Sequence, residues 1–399
     1  MGMGNDRLTS LEVCAGAGGQ ALGLHMAGFR HLALVEIDKH AVATLRKNLN
    51  ERAEWAWERE HCLIHEGDVK EFRPLEQVFS PEVPGASIRI PAEEYPMLES
   101  GQLDLLAGGV PCPPFSFAGK QLGQDDERDL FPAMLEMVEE LMPRAVMIEN
   151  VRGLVEPELK FLYYRNHIKN RLRRAGYVIC GWRVLEAQKF GVPQLRPRAI
   201  LVAIRGDQYR GFDWPRENMR VKTVGEALYD SMKERLGGED SPRFKQWYEK
   251  ARFGGVAPTL VGGSKKHGGA DLGPTRAKKA WAGLGVNAMG VANDADSVVD
   301  PGRDLGDLAG RGPMLTVAQA AIIQGFPEDW AFTGGKTARY RQVGNAFPPP
   351  VAAAVGGAIS EALSRKGRLL ADPSPEHEPE EDPSMAGAVS DVQEIFSVG

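Results

Sequence analysis

Cys112 stands in the run GGVPCPPFSFAGK, from Gly108 to Lys120, with Pro111 before it and Pro113 and Pro114 after it. Prolines fix the backbone and withhold a donor, so the run cannot continue as a sheet strand and the thiol sits on a stiff mount. A cysteine that merely fills core needs no such mount, whereas a nucleophile held against a planar substrate does. Thirty-seven residues on, Glu149 opens the run Glu149-Asn150-Val151 and offers a carboxyl able to hold or deliver a proton. Further along, FGVPQLRPRAILVAI sets Gln194, Arg196 and Arg198 at alternate positions. Alternate side chains of an extended segment share one face, and two guanidiniums there can hold a carboxylate, a phosphate or a base edge. The other cysteines, Cys14, Cys62 and Cys180, form no CxxC pair. No metal site is expected, and each of the three reads as a small buried hydrophobe.

A second constellation lies near the N-terminus. LEVCAGAGGQALGL gives an apolar strand, a glycine loop and a helix, the order that a nucleotide-type cofactor requires. Glycines let the backbone approach the ligand, and the helix start presents free N–H groups. Gly16, Gly18 and Ala21 satisfy GxGxxG/A. Glu36 ends the next strand, where an acid can accept hydrogen bonds from both ribose hydroxyls. Asp68, in EGDVKEF, suits an adenine amino group. An NAD-dependent dehydrogenase fits this segment equally well, but it leaves Cys112, Glu149 and the arginine pair idle.

These residues need a scaffold. Leu11–Val13, His31–Glu36, Leu103–Ala107, Ala145–Ile148 and Ala199–Ile204 are short apolar runs that predict strands, and Lys39–Asn48, Asp129–Leu141 and Phe161–Ala175 have helical spacing. The alternation predicts parallel βαβ units in an α/β, doubly wound, Rossmann-like sheet. Cys112 then follows a strand at its carboxyl end, where such enzymes place their chemistry, and Glu149 ends a strand that can lie beside it. After Arg205 the pattern changes. Residues 206–313 are glycine-rich, with scattered basic residues and weak periodicity, and are expected to form a smaller, loop-rich domain. Order resumes at Met314 with LTVAQAAIIQGF and with Pro348–Ile359, both helix-like. The expected organisation is therefore 1–205, 206–313, a return to the first domain over 314–370, and a disordered acidic tail over 371–399.

The 399-residue chain has a net charge of −6, but its charge is unevenly spread. From Ala371 onward there are eight acids and no Lys or Arg; the body keeps 48 basic against 46 acidic residues, a net of +2. Between Arg216 and Lys279 there are 14 basic and 8 acidic residues. Such a region can bind nucleic acid locally, although a solvated basic face fits the same count. No stretch approaches the ~20 apolar residues of a membrane span, and the N-terminus lacks a signal-peptide layout. A cytoplasmic protein is the expectation.

Taken in order, these motifs resemble the DNA cytosine-5 methyltransferases over residues 9–362. LEVCAGAGG looks like the family's cofactor loop, GGVPCPPFS its nucleophile motif, ENV its glutamate motif and QLRPR its Gln-x-Arg-x-Arg motif. LTVAQAAIIQGFP resembles the segment that supports the recognition domain, and VGNAFPPPVAAAV the segment that returns to complete the cofactor pocket. The resemblance implies S-adenosylmethionine as cofactor, bound by Cys14, Ala15, Gly16, Gly18, Gly19, Glu36, Ile37, Asp68, Val69, Pro111, Asn345 and Ala346. It implies Cys112 as a covalent nucleophile at C6 of a flipped-out cytosine and Glu149 as its partner at N3. Arg198 is first and Arg196 second for orienting the base at O2. The loop over Gly119–Arg128 would cover the base. Double-stranded DNA would be held by residues such as Gln194, Arg252, Thr259, Lys265 and Lys266. Thr259-Leu260 resembles a dipeptide of the family's recognition domains, although a plain strand pair is an equal reading. A monomer near the nucleoid, paired with a restriction endonuclease of the same site, completes the expectation. Cys14 replaces the usual aromatic, Pro113 the commoner Gln, and Ala318-Gln319 the usual Arg-Glu. A transfer-RNA cytosine-5 methyltransferase and an inactive DNA-binding relative remain the alternatives.

Overall fold

The computed structural model describes residues 8–79, 97–111, 129–262, 270–292 and 312–372, except Lys160 and Met219. Cys112, the Gly119–Arg128 loop, Lys265, Lys266 and the tail beyond Asp372 lie outside the described residues. The strands are β1 (Thr9–Val13), β2 (Arg30–Glu36), β3 (Leu63–Glu66), β4 (Leu105–Gly108), β5 (Ala145–Val151), β6 (Tyr177–Glu186) and β7 (Pro197–Arg205). They form one sheet in the order β3-β2-β1-β4-β5-β7-β6. The first six helices are α1 (Gly19–Met26), α2 (Lys39–Glu51), α3 (Ala56–His61), α4 (Pro74–Gln77), α5 (Phe131–Leu141) and α6 (Leu162–Arg174). The strand order reverses between β1 and β4, and the crevice at their carboxyl ends is where an open α/β sheet binds its ligand.

Alternate strand residues divide between two faces. Leu106, Val146 and Ile148 pack with Met134, Leu135, Ile168 and Leu172 of α5 and α6, while Leu105, Ala107, Ala145 and Met147 point into the opposite core. The parallel βαβ units expected from the alternation account for β1 to β5, and the far edge of the sheet is mixed. β7 pairs antiparallel with both β5 and β6. Only a short 3-10 turn over Ala187–Phe190 lies between β6 and β7, too little chain for the helical crossover that a parallel pair demands.

Beyond β7 come α7 (Val224–Ala227), α8 (Tyr229–Arg235), α9 (Pro242–Ala251), α10 (Thr275–Gly283), α11 (Val317–Gln324), α12 (Lys336–Asn345) and α13 (Pro349–Ser364). The 206–313 region, read as loop-rich, thus holds four short helices among its described residues. Its Phe244, Trp247 and Trp281 belong to one buried cluster with Leu45, Trp55, Val317 and Trp330. Helix α13 packs Val351, Val355 and Ile359 onto the sheet's second face, each such side chain contributing about 1.5–3 kcal/mol when buried. It also presses on α1. A Cβ at Gly23 would lie 2.4 Å from the Pro349 carbonyl oxygen, and one at Gly356 would lie 2.8 Å from Leu24. His31 joins β2 to its neighbours. Its Nε2 is 2.9 Å from the Ala21 carbonyl and its Nδ1 is 2.9 Å from the Ser10 hydroxyl, an arrangement that a neutral ring satisfies at both nitrogens.

Candidate active site

The cavity at the crevice is walled by the β1–α1 loop, the end of β2, the residue after β4, the end of β5, and α12 with the residues after it. Its lining includes Glu12, Cys14, Ala15, Gly16, Gln20, Glu36, Asp38, Gly109, Glu149, Arg341, Gln342, Asn345, Ala346 and Phe347. Five of the expected cofactor positions other than Glu36 (Cys14, Ala15, Gly16, Asn345 and Ala346) therefore come together, although they are separated by some 330 residues of chain.

The loop after β1 turns through left-handed backbone at Cys14 (φ 54°), Gly16 (φ 56°) and Gly18 (φ 85°). One oxygen of Glu36 accepts from the Gly16 N–H at 2.7 Å. The other accepts from the Ile37 and Asp38 N–H groups at 2.9 and 2.8 Å. These bonds pin the Glu36 carboxylate at the cavity edge and shape the loop around it. Gly18 and Gly19 play a different part from the one expected. A Cβ at Gly18 would meet Leu45 at 2.9 Å and Trp330 at 3.0 Å, and one at Gly19 would meet the Phe347 carbonyl at 2.3 Å. Both glycines let the loop pack on its supports and stand outside the cavity lining. Asp68 accepts from the Lys70 N–H at 3.0 Å and lies close enough to Cys14 to act on its thiol. Val69 is core, Ile37 is exposed, and Pro111 is exposed.

At the other end of the cavity, Glu149 pairs with Arg198, Oε1 to Nε, at 2.7 Å. Both side chains are largely enclosed, about 14 and 13% exposed. Burial raises the Glu149 carboxyl above its usual range, against the pull of Arg198 and Arg196 in the other direction. Burial therefore makes this carboxyl easier to protonate than an exposed one. Gly109 abuts this carboxyl, since a Cβ there would lie 3.2 Å from Glu149 Oε2. The chain leading to Cys112 is held in place: Asn150 Nδ2 donates to the Val110 carbonyl at 2.8 Å, and the Leu130 N–H to the Pro111 carbonyl at 3.4 Å. Among the described cysteines, burial pushes Cys14 and Cys180 up to about 12 and raises Cys62 well above the ordinary thiol. Burial thus disfavours the thiolate at all three positions.

Arg196 departs from its expected place beside Arg198. It is 1% exposed, and its guanidinium donates to the carbonyls of Leu260, Gly344 and Ala346 at 2.7, 2.8 and 2.9 Å. All of these bonds lie on backbone, so Arg196 fastens the 260 region to the end of α12, while its Nε–H has no partner among the described residues. Gln194 is likewise enclosed, bonded to Gln324 (2.7 Å), the Ile323 carbonyl (3.3 Å) and the Leu260 N–H (2.7 Å). Extended alternation placed the three residues on one side, but only Arg198 reaches the cavity carboxyl. The Thr259 hydroxyl donates to the Leu195 carbonyl. Arg252 is on the surface, 3.1 Å from Glu249, with its guanidinium 4.4 Å from the ring centre of the exposed Phe253.

Sequence reading passed over several lining residues. Glu12 is 1% exposed with Oε2 unpartnered, and burial followed by the Glu36 charge drives its carboxyl well above the usual range. Gln20 is 3% exposed with neither side-chain atom bonded. Leaving one such buried group unmet costs about 1–3 kcal/mol. A polar residue at an inward strand position (Glu12 in LEV) was the signal for the first. Nothing marked Gln20, because the first turn of a helix ordinarily faces solvent.

Comparison with known proteins agrees with this geometry. A family profile described as C-5 cytosine-specific DNA methylase matches residues 8–361. The type II methyltransferase M.NaeI of Lentzea aerocolonigenes is 49% identical over 90% of this chain and 76% of its own length. M.NgoMIV of Neisseria gonorrhoeae, also a type II methyltransferase, is 44% identical over 90% of this chain and 99% of its own. The solved structure of the Entamoeba histolytica methyltransferase EhMeth shares the fold, with a TM-score of 0.55 at 13% identity over 90% of this chain and all of that one. The chain, an α/β protein with a Rossmann-like sheet, belongs to the C-5 cytosine-specific DNA methylases.

Proposed function

We propose that the protein transfers a methyl group from S-adenosylmethionine to C5 of cytosine within a specific duplex DNA sequence, with Cys112 as covalent nucleophile. The observation that carries the reading is the enclosed Glu149 carboxyl on Arg198, with Gly109 against it. Cys112 follows Gly109 by three residues, within about 11 Å of chain at full extension. Cofactor and residues fit: Glu36 at the cavity edge suits a ribose diol, and the unmet polar groups of Glu12 and Gln20 suit a polar ligand in the same space. When bound, S-adenosylmethionine supplies an electrophilic methyl group on sulfur.

The chain's own residues do the rest. The Cys112 thiolate adds to C6 while Glu149 gives a proton to N3, which places electron density on C5. Arg198 holds Glu149 and orients the base. After C5 is methylated, loss of its proton to a base expels the Cys112 thiolate and restores the ring. C6 is inaccessible in a stacked duplex, so the cytosine turns out of the helix, at a cost of a few kcal/mol that DNA contacts offset. Residues 206–313, with Arg252, Lys265 and Lys266, supply contacts to phosphates and bases, while Arg196, Gln194 and Thr259 hold that region to the catalytic part. The enzyme works as a monomer on chromosomal DNA beside an endonuclease of the same site.

The decisive experiment offers tritiated cofactor with bacterial duplex DNA and with transfer RNA, using the wild type and Cys112→Ser. Label in DNA alone, lost in the variant while cofactor binding persists, is the expected result. Label in transfer RNA would replace the substrate assignment, and equal loss of both functions would make Cys112 a structural residue.

A further inference from the structure

Tyr164 and Asp129 meet in the core, outside the lining of the cavity. Tyr164 comes from α6 and is buried; Asp129 stands just before α5 and is buried too. The Tyr164 hydroxyl donates to Asp129 Oδ2 at 2.6 Å, and Asp129 Oδ1 accepts from the Phe131 N–H at 3.0 Å. Burying a carboxylate and a phenol is costly unless their polar atoms are met. Starting α5 does not require that cost, since an exposed Asp, Ser or Thr serves a helix start as well. The place of the bond points to another use. The first N–H groups of a helix have no partner within it, and the Leu130 N–H is spent on the Pro111 carbonyl at 3.4 Å. Pro111 is the residue before Cys112. From the other side Asn150, which follows Glu149, donates from Nδ2 to the Val110 carbonyl at 2.8 Å. Val110, Phe131 and Tyr164 share one buried cluster, with the Phe131 and Tyr164 rings edge to face and 5.7 Å between centres.

We propose that Tyr164 and Asp129 are positioning residues for the nucleophile: the hydroxyl of one fixes the carboxylate of the other, and through Leu130 and Pro111 that bond sets where Cys112 stands relative to Glu149. This rests on the covalent reading above. The links run in order from Tyr164 to Asp129, to the turn at Leu130, to Pro111 and so to Cys112. The Leu130 bond is the weakest of them, since 3.4 Å lies beyond the usual range of about 2.7–3.2 Å. A small shift of Asp129 is enough to lose it. Asn150 ties Val110 to the glutamate strand independently, so breaking the Tyr164 bond loosens one side of the mount and leaves the other. Neither residue touches substrate; both act through the chain that carries the thiol.

The test compares the full-length wild type with Tyr164→Phe, which keeps the ring on Phe131 and removes only the hydroxyl. Two rates are read: steady-state methylation of duplex DNA, and single-turnover formation of the covalent adduct on DNA containing 5-fluorocytosine with S-adenosylmethionine present. Both kcat and the adduct rate should fall at least about tenfold, while KM for DNA and Kd for S-adenosylhomocysteine stay within about twofold. Asp129→Asn keeps an acceptor for the Phe131 N–H and can donate to the Tyr164 hydroxyl, so it should retain more of the rate than Asp129→Ala. Tyr164→Phe combined with Asp129→Ala should be no slower than Asp129→Ala alone, because both changes break one link. Unchanged rates in Tyr164→Phe would overturn the assignment. So would a joint loss of rate, DNA affinity and cofactor affinity with a lowered melting temperature, which marks a residue that serves folding alone. Wild-type protein that methylates DNA yet forms no adduct would instead overturn the covalent reading of Cys112.

Discussion

Replacing Arg196 by methionine keeps a long side chain in the same buried position and removes three hydrogen bonds to backbone carbonyls. The Ala346 carbonyl retains the Gln324 amide as a donor, but Leu260 and Gly344 each lose the guanidinium. At about 1–3 kcal/mol for each buried acceptor left unmet, the expected destabilisation is about 2–6 kcal/mol. Burial pulls the guanidinium pKa well down, while three carbonyl acceptors favour its charged form, so the hydrogen bonds being lost are charge-assisted ones. For large domains 1 kcal/mol shifts the melting temperature by roughly 2–4 °C, so Arg196→Met should melt roughly 4–24 °C lower. Arg196→Lys, which keeps the charge without the fork, should fall between the two. Scanning fluorimetry gives the melting temperatures, and methyl transfer at 20 °C gives activity in the fraction still folded. A variant that melts with the wild type but has lost all methylation would refute the structural role and restore Arg196 to the base.

Three other substitutions probe separate parts of the argument. Glu149→Gln removes the titratable carboxyl opposite Arg198, and methylation should fall at least about a hundredfold with cofactor binding kept; full activity would remove Glu149 from the mechanism. His31 is held down from 6.5 to about 4, chiefly by burial. A depressed folded value means the unfolded chain takes up the proton first. Stability of about 3 kcal/mol from this ring is thus complete above pH 6.5 and is lost as pH falls toward 4. His31→Gln should flatten urea-melt stability over that window, and an unchanged slope would show that other groups govern it. Gly262→Ala would put a methyl group 2.0 Å from Asn345 Oδ1. It should weaken cofactor binding at least several-fold through that displaced amide, and unaltered affinity would take Asn345 out of the cofactor wall.

The parts of the fold that can be read from sequence are those where one residue type answers one physical demand. The apolar run before Cys14, the glycines after it and the acid closing β2 carry their geometry with them, as does Glu149 at the end of its strand. β6 was missed because YVICGWRVLE mixes buried and half-exposed positions and is broken at Gly181, where its register with β7 shifts. β3, only four residues long, borders the sheet without a buried pattern. Alternation placed Gln194, Arg196 and Arg198 together, but sequence cannot show that backbone carbonyls of residues 260 and 344 arrive to claim Arg196 first. The orphaned amide of Gln20 is visible only once its neighbours are in place.

The contact of α13 with α1 has a consequence for how the enzyme is made. One wall of the cavity is translated among the first residues and the opposite wall only after Lys336. A nascent chain can lay down β1 to β5 early, yet it cannot enclose a ligand until α12 and α13 emerge and fold back onto the beginning. Premature termination anywhere before α12 should therefore leave a product unable to modify anything. Conversely, two fragments divided within residues 206–313 should regain the pocket when expressed together, because Gly23 and Gly356 bring their helices into direct contact without a covalent link.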